Sequence, residues 1–213
     1  MKTDDLIGML ATGVQPVPNG VAANRFRTAL LWGVPGALAV LFAFYGLRPD
    51  FAQAALLPMF WVKLIFPFLV AVSALLLTSR VSHPGMRLGR AWLGLVLPWA
   101  VLTAGALWVL QQAEPAQRLE LALGRTWPSC VFNIALVSLP AFVAVLWAVK
   151  GLAPTRLSLA GACAGLLAGG VGTMVYALHC PEMQAPFLAV WYVLGMAVPA
   201  GLGALVGPRL LRW

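Results

Sequence analysis

The residues best suited to chemistry are two cysteines. Cys130 closes a Trp-Pro-Ser-Cys run and Cys180 sits in a His-Cys-Pro-Glu run. Thiolates bind soft metals and are oxidised reversibly, so a thiol pair can act as a chemical sensor. Polar groups fall at useful offsets around both. Asn133 follows Cys130 by three residues and Tyr176 precedes Cys180 by four, spacings that share a helix face. His179 is adjacent to Cys180, and Glu182 follows two residues on. Cys130, Cys180 and His179 form a candidate soft-metal set, although no CxxC pattern is present. The pair also has a plainer reading, as a static disulfide or as two small unpaired residues. Chain entropy values a disulfide closing such a loop at about 4 kcal/mol. That value overstates the case for helices already held in a bilayer. Cys163 reads as a small packing residue.

These side chains must be carried by membrane helices. The 213 residues are 62% hydrophobic and only 9% charged, too little polar material to cover a soluble domain. About 20 apolar residues cross a bilayer core as helix. Six segments meet this length: 28–47, 54–77, 91–110, 130–149, 157–176 and 187–206. The expected fold is all-α, a polytopic six-transmembrane-helix bundle. Residues 1–25 precede it as a cytoplasmic segment, and 26–213 form the transmembrane domain. Pro35, Pro58, Pro67, Pro98, Pro140 and Pro199 lie inside the apolar runs and mark kinks. No secretory signal precedes the first apolar run, which is expected to serve as targeting signal and anchor together.

Direction follows from Lys and Arg, which concentrate on the cytoplasmic side. With the N-terminus inside, ten bases are cytoplasmic (Lys2, Arg25, Arg27, Arg80, Arg87, Arg90, Lys150, Arg156, Arg209, Arg212). Arg48, Arg118 and Arg125 are outside. Both termini are therefore expected in the cytoplasm, with Cys130 and Cys180 at the outer ends of consecutive spans. The outer segment 111–127 is expected to contain a short surface helix. Gly161, Gly165 and Gly169 line one face of the fifth span, and Gly195, Pro199 and Gly203 repeat the spacing in the sixth. Small faces of this kind allow close helix packing.

Lys63 is the one ionisable residue deep in a span. A central Lys costs roughly 2.5–3.5 kcal/mol on insertion. No embedded carboxylate is available to it. It lies about 14 Å below the outer end of its helix at 1.5 Å per residue. Its side chain either snorkels to helix-end carbonyls or links the outer mouth to the bundle interior.

The N-terminus carries a different signal. Residues 3–12 read as a short amphipathic helix capped by Thr3, with Asp4 and Asp5 in its first turn. Leu6, Ile7, Met9 and Leu10 form its apolar stripe, Gly13 ends it and Pro16 lies beyond. So short a helix needs a partner. Its acidic residues argue against a membrane surface, which leaves two readings open: a groove in a soluble protein, or packing against its own bundle. Asp5, Leu6, Met9, Leu10, Pro16 and Val17 are the candidate partner contacts.

Several classes are excluded. His83 and His179 fall in loops on opposite sides, so they cannot share a haem. HExxH and phosphate-binding glycine motifs are absent. The net charge of +8 comes from isolated bases with no nucleic-acid groove pattern. No enzyme activity, cofactor or direct nucleic-acid contact is expected; the lipid bilayer is a partner. A competing class is a small membrane transporter or metal-handling protein whose path is lined by Lys63, Asn133 and Tyr176.

Several motifs together resemble one family. They are TDDLIGMLATGVQPVP, FWVKL, HPGMRLGRAW, WPSC, GLAPTR, AGACAGLLAGGVGTMVYALHCPEM and the terminal LLRW. The sequence resembles the NrsF-type membrane anti-sigma factors of proteobacteria over essentially the whole chain. The resemblance implies a six-span protein of the bacterial inner membrane that sequesters an extracytoplasmic-function (ECF) sigma factor of the sigma-F type. It implies release of that factor on oxidative or heavy-metal stress through two periplasmic cysteines, which match Cys130 and Cys180. His179, Asn133, Tyr176, Glu182 and Lys63 would support that outer site.

Overall fold

A computed structural model describes residues 3–12, 20–83, 86 and 89–212. The helices are α1 (Thr3–Ala11), α2 (Val21–Phe44), α3 (Phe51–Ala54), α4 (Pro58–Val81), α5 (Leu93–Gln112), α6 (Pro115–Leu123), α7 (Trp127–Lys150), α8 (Leu157–Tyr176), α9 (Ala185–Phe187) and α10 (Val193–Leu210). A 3₁₀ turn, Gly89–Trp92, leads into α5, and a π turn, Leu188–Tyr192, joins α9 to α10. No strand occurs among the described residues. Six helices are long and apolar enough to cross a membrane, as the run lengths predict. The surface helix expected in 111–127 is α6. Pro16 and Val17, and Gly13 as the end of α1, lie outside the described residues.

The second span differs from its expected bounds. It runs Pro58–Val81 rather than 54–77, because Pro58 takes the first helical position and not an interior one. Phe51–Ala54 is a separate turn before it. Pro35, Pro67, Pro98, Pro140 and Pro199 do lie inside helices, joined by Pro208.

The bundle is organised around α8. Fourteen of its twenty residues are buried, against two of twenty in α5, so α8 is the axis and α5 is peripheral. Glycine makes this centrality possible. A methyl group on Gly165 would lie 2.6 Å from the Pro199 carbonyl carbon, and one on Gly169 would lie 3.0 Å from Met196 Cα. Only hydrogen fits there, so α8 and α10 touch backbone to backbone along the predicted small-residue faces. Gly195 departs from that expectation: it faces Ile134 of α7. Cys163 packs in the main core with Ala164 and Ala168, as expected of a packing residue. Large side chains such as Trp32, Phe42, Trp99 and Trp147 point outward, the reverse of a soluble protein.

The two ends of the bundle differ in charge. At one end α2 begins and α7 finishes, tied by Arg25 Nε donating to the Ala148 carbonyl at 3.2 Å. Eight described bases lie there: Arg25, Arg27, Arg80, Arg90, Lys150, Arg156, Arg209 and Arg212. At the opposite end α8 finishes and α4 and α7 begin. Arg48, Arg118 and Arg125 lie there among Asp50, Glu114, Glu120 and Glu182.

Candidate functional site: a closed thiol site at one end of the bundle

The acidic end holds the polar interior of the molecule. Cys130 lies in the first turn of α7, where its N–H donates to the Thr126 carbonyl at 2.9 Å. Cys180 follows α8 and donates to the Tyr176 carbonyl at 3.0 Å. Both are fully buried and belong to one cluster with Tyr176, Phe187, Tyr192 and Met196. Both are free thiols, so the disulfide that was one reading of the pair is not formed in this structure.

Lys63 closes the site from α4. Its side chain has no exposed surface. The ammonium donates to the Cys180 carbonyl at 2.5 Å and to the Glu182 carbonyl at 2.8 Å. It also stands 5.8 Å from the centroid of the Tyr192 ring. All three N–H bonds therefore have an electron-rich neighbour. Hydrogen bonds from a charged donor contribute about 1.5–3 kcal/mol each. Because α4 starts at Pro58, Lys63 lies only about 7.5 Å from its first residue and not the roughly 14 Å expected, nearer the outer end than the centre; two such bonds offset a cost below the roughly 2.5–3.5 kcal/mol of a central Lys. Lys63 therefore does not snorkel to a helix end: it is buried, and the carbonyls it reaches belong to the loop between α8 and α9.

Asn133 of α7 and Tyr176 of α8 meet directly. Tyr45 donates its hydroxyl to Asn133 Oδ1 at 2.9 Å, and Asn133 Nδ2 donates to the Tyr176 hydroxyl at 3.3 Å. The Tyr45 ring stands edge-on to Tyr176, with centroids 6.2 Å apart. These bonds join α2, α7 and α8 beside the thiols.

The polar atoms of two expected members bond away from the thiols, although the His179 ring packs 5.3 Å from Tyr45 and 5.8 Å from Tyr176. Nδ1 of His179 pairs with the Gly46 carbonyl at 3.0 Å, a contact that fixes the proton on Nδ1. The Glu182 carboxylate accepts the N–H groups of Arg125 and Thr126 at 2.8 and 3.2 Å, just ahead of α7. There it suits the positive end of the helix dipole. Glu182 thus contributes a carbonyl to Lys63 and a carboxylate to the turn that leads into α7. Among the described residues no three His, Cys, Asp or Glu side chains gather as a metal site.

Three participants carry little signal in the sequence. Tyr45 and Tyr192 sit in apolar runs where an aromatic reads as lipid-facing. The Tyr192 hydroxyl is buried beside Cys180 and meets no hydrogen-bond acceptor or donor of good geometry. Arg48, expected in an open loop, is buried; it forms a two-pronged ion pair with Asp50, both bonds 2.7 Å. Its backbone N–H donates to the Leu178 carbonyl, pinning the loop after α2 to the turn before Cys180. The guanidinium holds the Asp50 carboxyl below the usual carboxylate range. The Arg-Pro-Asp spacing was the available clue.

Asp5, Leu6, Met9 and Leu10 lie apart from this cluster on α1, every residue of which is exposed. Its apolar stripe covers no core.

The arrangement is a pair of thiols shut away from water, with the backbone of one held by a buried cation. Lys63 thus ties the backbone of Cys180 to α4, a helix that runs to the opposite end of the bundle.

Residues 10–213 match the family described as negative regulator of sigma F. A "Probable anti-sigma-F factor NrsF" from Azospira oryzae is 47% identical over 213 residues, covering the whole of both chains. An "Anti-sigma-F factor NrsF" from Caulobacter vibrioides is 40% identical over 220 residues, again covering both chains in full. No solved structure matches the chain.

Proposed function

This chain belongs to the family of negative regulators of sigma F, and from that premise we propose that it is an anti-sigma factor that holds an ECF sigma factor at the bacterial inner membrane. The observation that carries the reading is the family match over nearly the full length, with two relatives aligned end to end. Six apolar helices support the membrane location. The end bearing eight bases faces the cytoplasm, by the rule that places Lys and Arg inside. Cys130 and Cys180 then face the periplasmic side, and α1 stands in the cytoplasm with its apolar stripe open to a partner. Asp5, Leu6, Met9 and Leu10, together with Pro16 and Val17, are the proposed sigma contacts.

Release begins at the thiol pair. A peroxide oxidises one thiol to a sulfenic acid and leaves as water. The second thiol displaces hydroxide from that sulfur, forming the disulfide and a second water. Soft-metal binding to the two thiolates would strain the same backbone. Either event draws the Cys180 carbonyl from Lys63 and shifts α4 and α8. A tenfold loss of sigma affinity requires the two states to differ by only about 1.4 kcal/mol. His179, Asn133, Tyr176 and Glu182 hold the loops and helices whose positions the thiols report.

The test is capture of the cognate sigma factor by the full chain and by a chain lacking residues 1–25, both in native membranes. Capture by the first and not the second is expected. Equal capture by both would remove α1 from the account, and capture by neither would remove the anti-sigma reading.

A further inference from the structure

The basic end contains an open, mostly apolar cavity of about 1010 Å³. It lies between the start of α2 and the end of α4, with the turn after α7 at its margin. Phe26, Leu30, Leu75 and Leu152 line it, and Arg27 and His83 stand among its polar residues. No residue of α1 contributes to its lining. We infer that this groove is a seat for the chain's own α1, and that α1 exchanges between the seat and the sigma factor. The inference rests on the anti-sigma reading and adds the competition that regulates it.

Three observations select α1 as the occupant. First, α1 presents Leu6, Ile7, Met9 and Leu10 to solvent and buries nothing. So short a helix is marginal in water without an apolar surface to lie on. Second, the connection ends at the groove itself: Gly20 and Val21 are lining residues. Eight Cα steps from Thr12 to Gly20 reach at most about 27 Å, so α1 can never leave the neighbourhood. A connection of this length keeps its local concentration near the millimolar range. Third, the charges match. Asp4 and Asp5 open α1, whereas the groove carries Arg27 and stands among Arg25, Lys150 and Arg156.

The groove also connects to the thiol site through one element. Helix α4 carries Lys63 at the closed site, and Leu75 and Ser79 on the same helix line the groove. Sixteen residues of helix separate Lys63 from Ser79, about 24 Å. A movement of α4 that widens the groove favours seated α1, and seated α1 has no stripe left for the sigma factor. Release is then a handover of one helix between two apolar surfaces.

The experiment uses the full chain in lipid nanodiscs with a short bis-maleimide cross-linker. The three native cysteines are buried and do not compete. Leu10→Cys is paired with Ser79→Cys, which lines the groove, or with Arg209→Cys, an exposed position at the same end of the bundle outside it. Without sigma factor, the Ser79 pair should cross-link within one chain at least about fivefold faster than the Arg209 pair, and added sigma factor should slow it. Equal rates, or cross-links only between two chains, overturn the seat. A second variant, Ala23→Trp, fills the groove from an exposed lining position. It should tighten sigma binding about three- to tenfold by removing the internal competitor; unchanged or weaker binding overturns the competition. Failure of the anti-sigma reading is seen separately, as no sigma capture by any full chain, whereas the cross-linking contrast in sigma-free protein judges the seat alone.

Discussion

Replacing Lys63 with Met tests whether a buried cation holds the thiol site closed. The substitution keeps the chain length and removes the charge. In the native site the ammonium satisfies the carbonyls of Cys180 and Glu182. At about 1.5–3 kcal/mol for each charged hydrogen bond, the two hold the 180–182 loop by about 3–6 kcal/mol. Without them the same carbonyls are buried unpaired when the loop is closed and hydrated when it opens. The lower bound of about 3 kcal/mol raises the open population roughly a hundredfold. The assay is the rate of maleimide labelling of Cys130 and Cys180 in native membranes, read by mass spectrometry. Cys163, packed in the core far from the loop, serves as the internal control for folding. Labelling of Cys130 and Cys180 should accelerate by about two orders of magnitude while Cys163 stays protected. A change below twofold in a folded variant would refute the role given to Lys63.

Other perturbations probe the scaffold. Gly165→Leu drives a side chain into the backbone of α10 at Pro199 and Ala200, which cannot yield without separating the central pair. It should cost more than about 4 kcal/mol, the range of severe overpacking and strain, and appear as loss of the monodisperse protein in detergent; a normal melting profile would contradict the backbone contact. The Arg48–Asp50 pair sets a pH dependence at the loop beside Cys180. The folded pKa of Asp50 is depressed, so its stabilising contribution is present above the unfolded value near about 3.9 and fades as pH falls through the folded value. Thermal stability should therefore fall on acidification more in the native chain than in Asp50→Asn, and parallel curves would remove the pair from the account. Leu6→Asp and Leu10→Asp each place a charge in the α1 stripe and should abolish sigma capture without lowering bundle stability, as measured by co-purification alongside a thermal melt.

The sequence made the bundle legible for a simple reason. A bilayer demands one length and one polarity of its helices, and six runs meet both. Helix faces were readable for most of the small residues: Gly165 and Gly169 meet α10 because nothing larger fits, whereas Gly195 turns to Ile134 of α7. The second span slipped at Pro58, since hydropathy alone does not distinguish a proline that starts a helix from one that kinks it. The site was legible in part. Asn133 and Tyr176 were singled out by their helical spacing from the cysteines, and they meet directly. The partners of Lys63 were backbone carbonyls, which every residue has, so no residue type announced them. Tyr192 and Arg48 were hidden because an aromatic in an apolar run and an Arg in a loop have ordinary explanations. The carboxylate of Glu182 binds the turn ahead of α7 rather than the thiols, a choice set by the Arg125 and Thr126 N–H groups and not by its distance in sequence from Cys180.

The account stands on a thiol pair at one end governing retention of a partner at the other. The direct measurement is the amount of sigma factor held by the full chain in membranes during peroxide treatment, with the Cys130–Cys180 redox state followed in the same samples. In the native chain, loss of sigma factor should track disulfide formation. In Cys130→Ser and Cys180→Ser the sigma factor should stay bound through the same treatment, with basal binding unchanged. Equal release from the native chain and both variants, or complete disulfide formation with no release, would contradict the central claim.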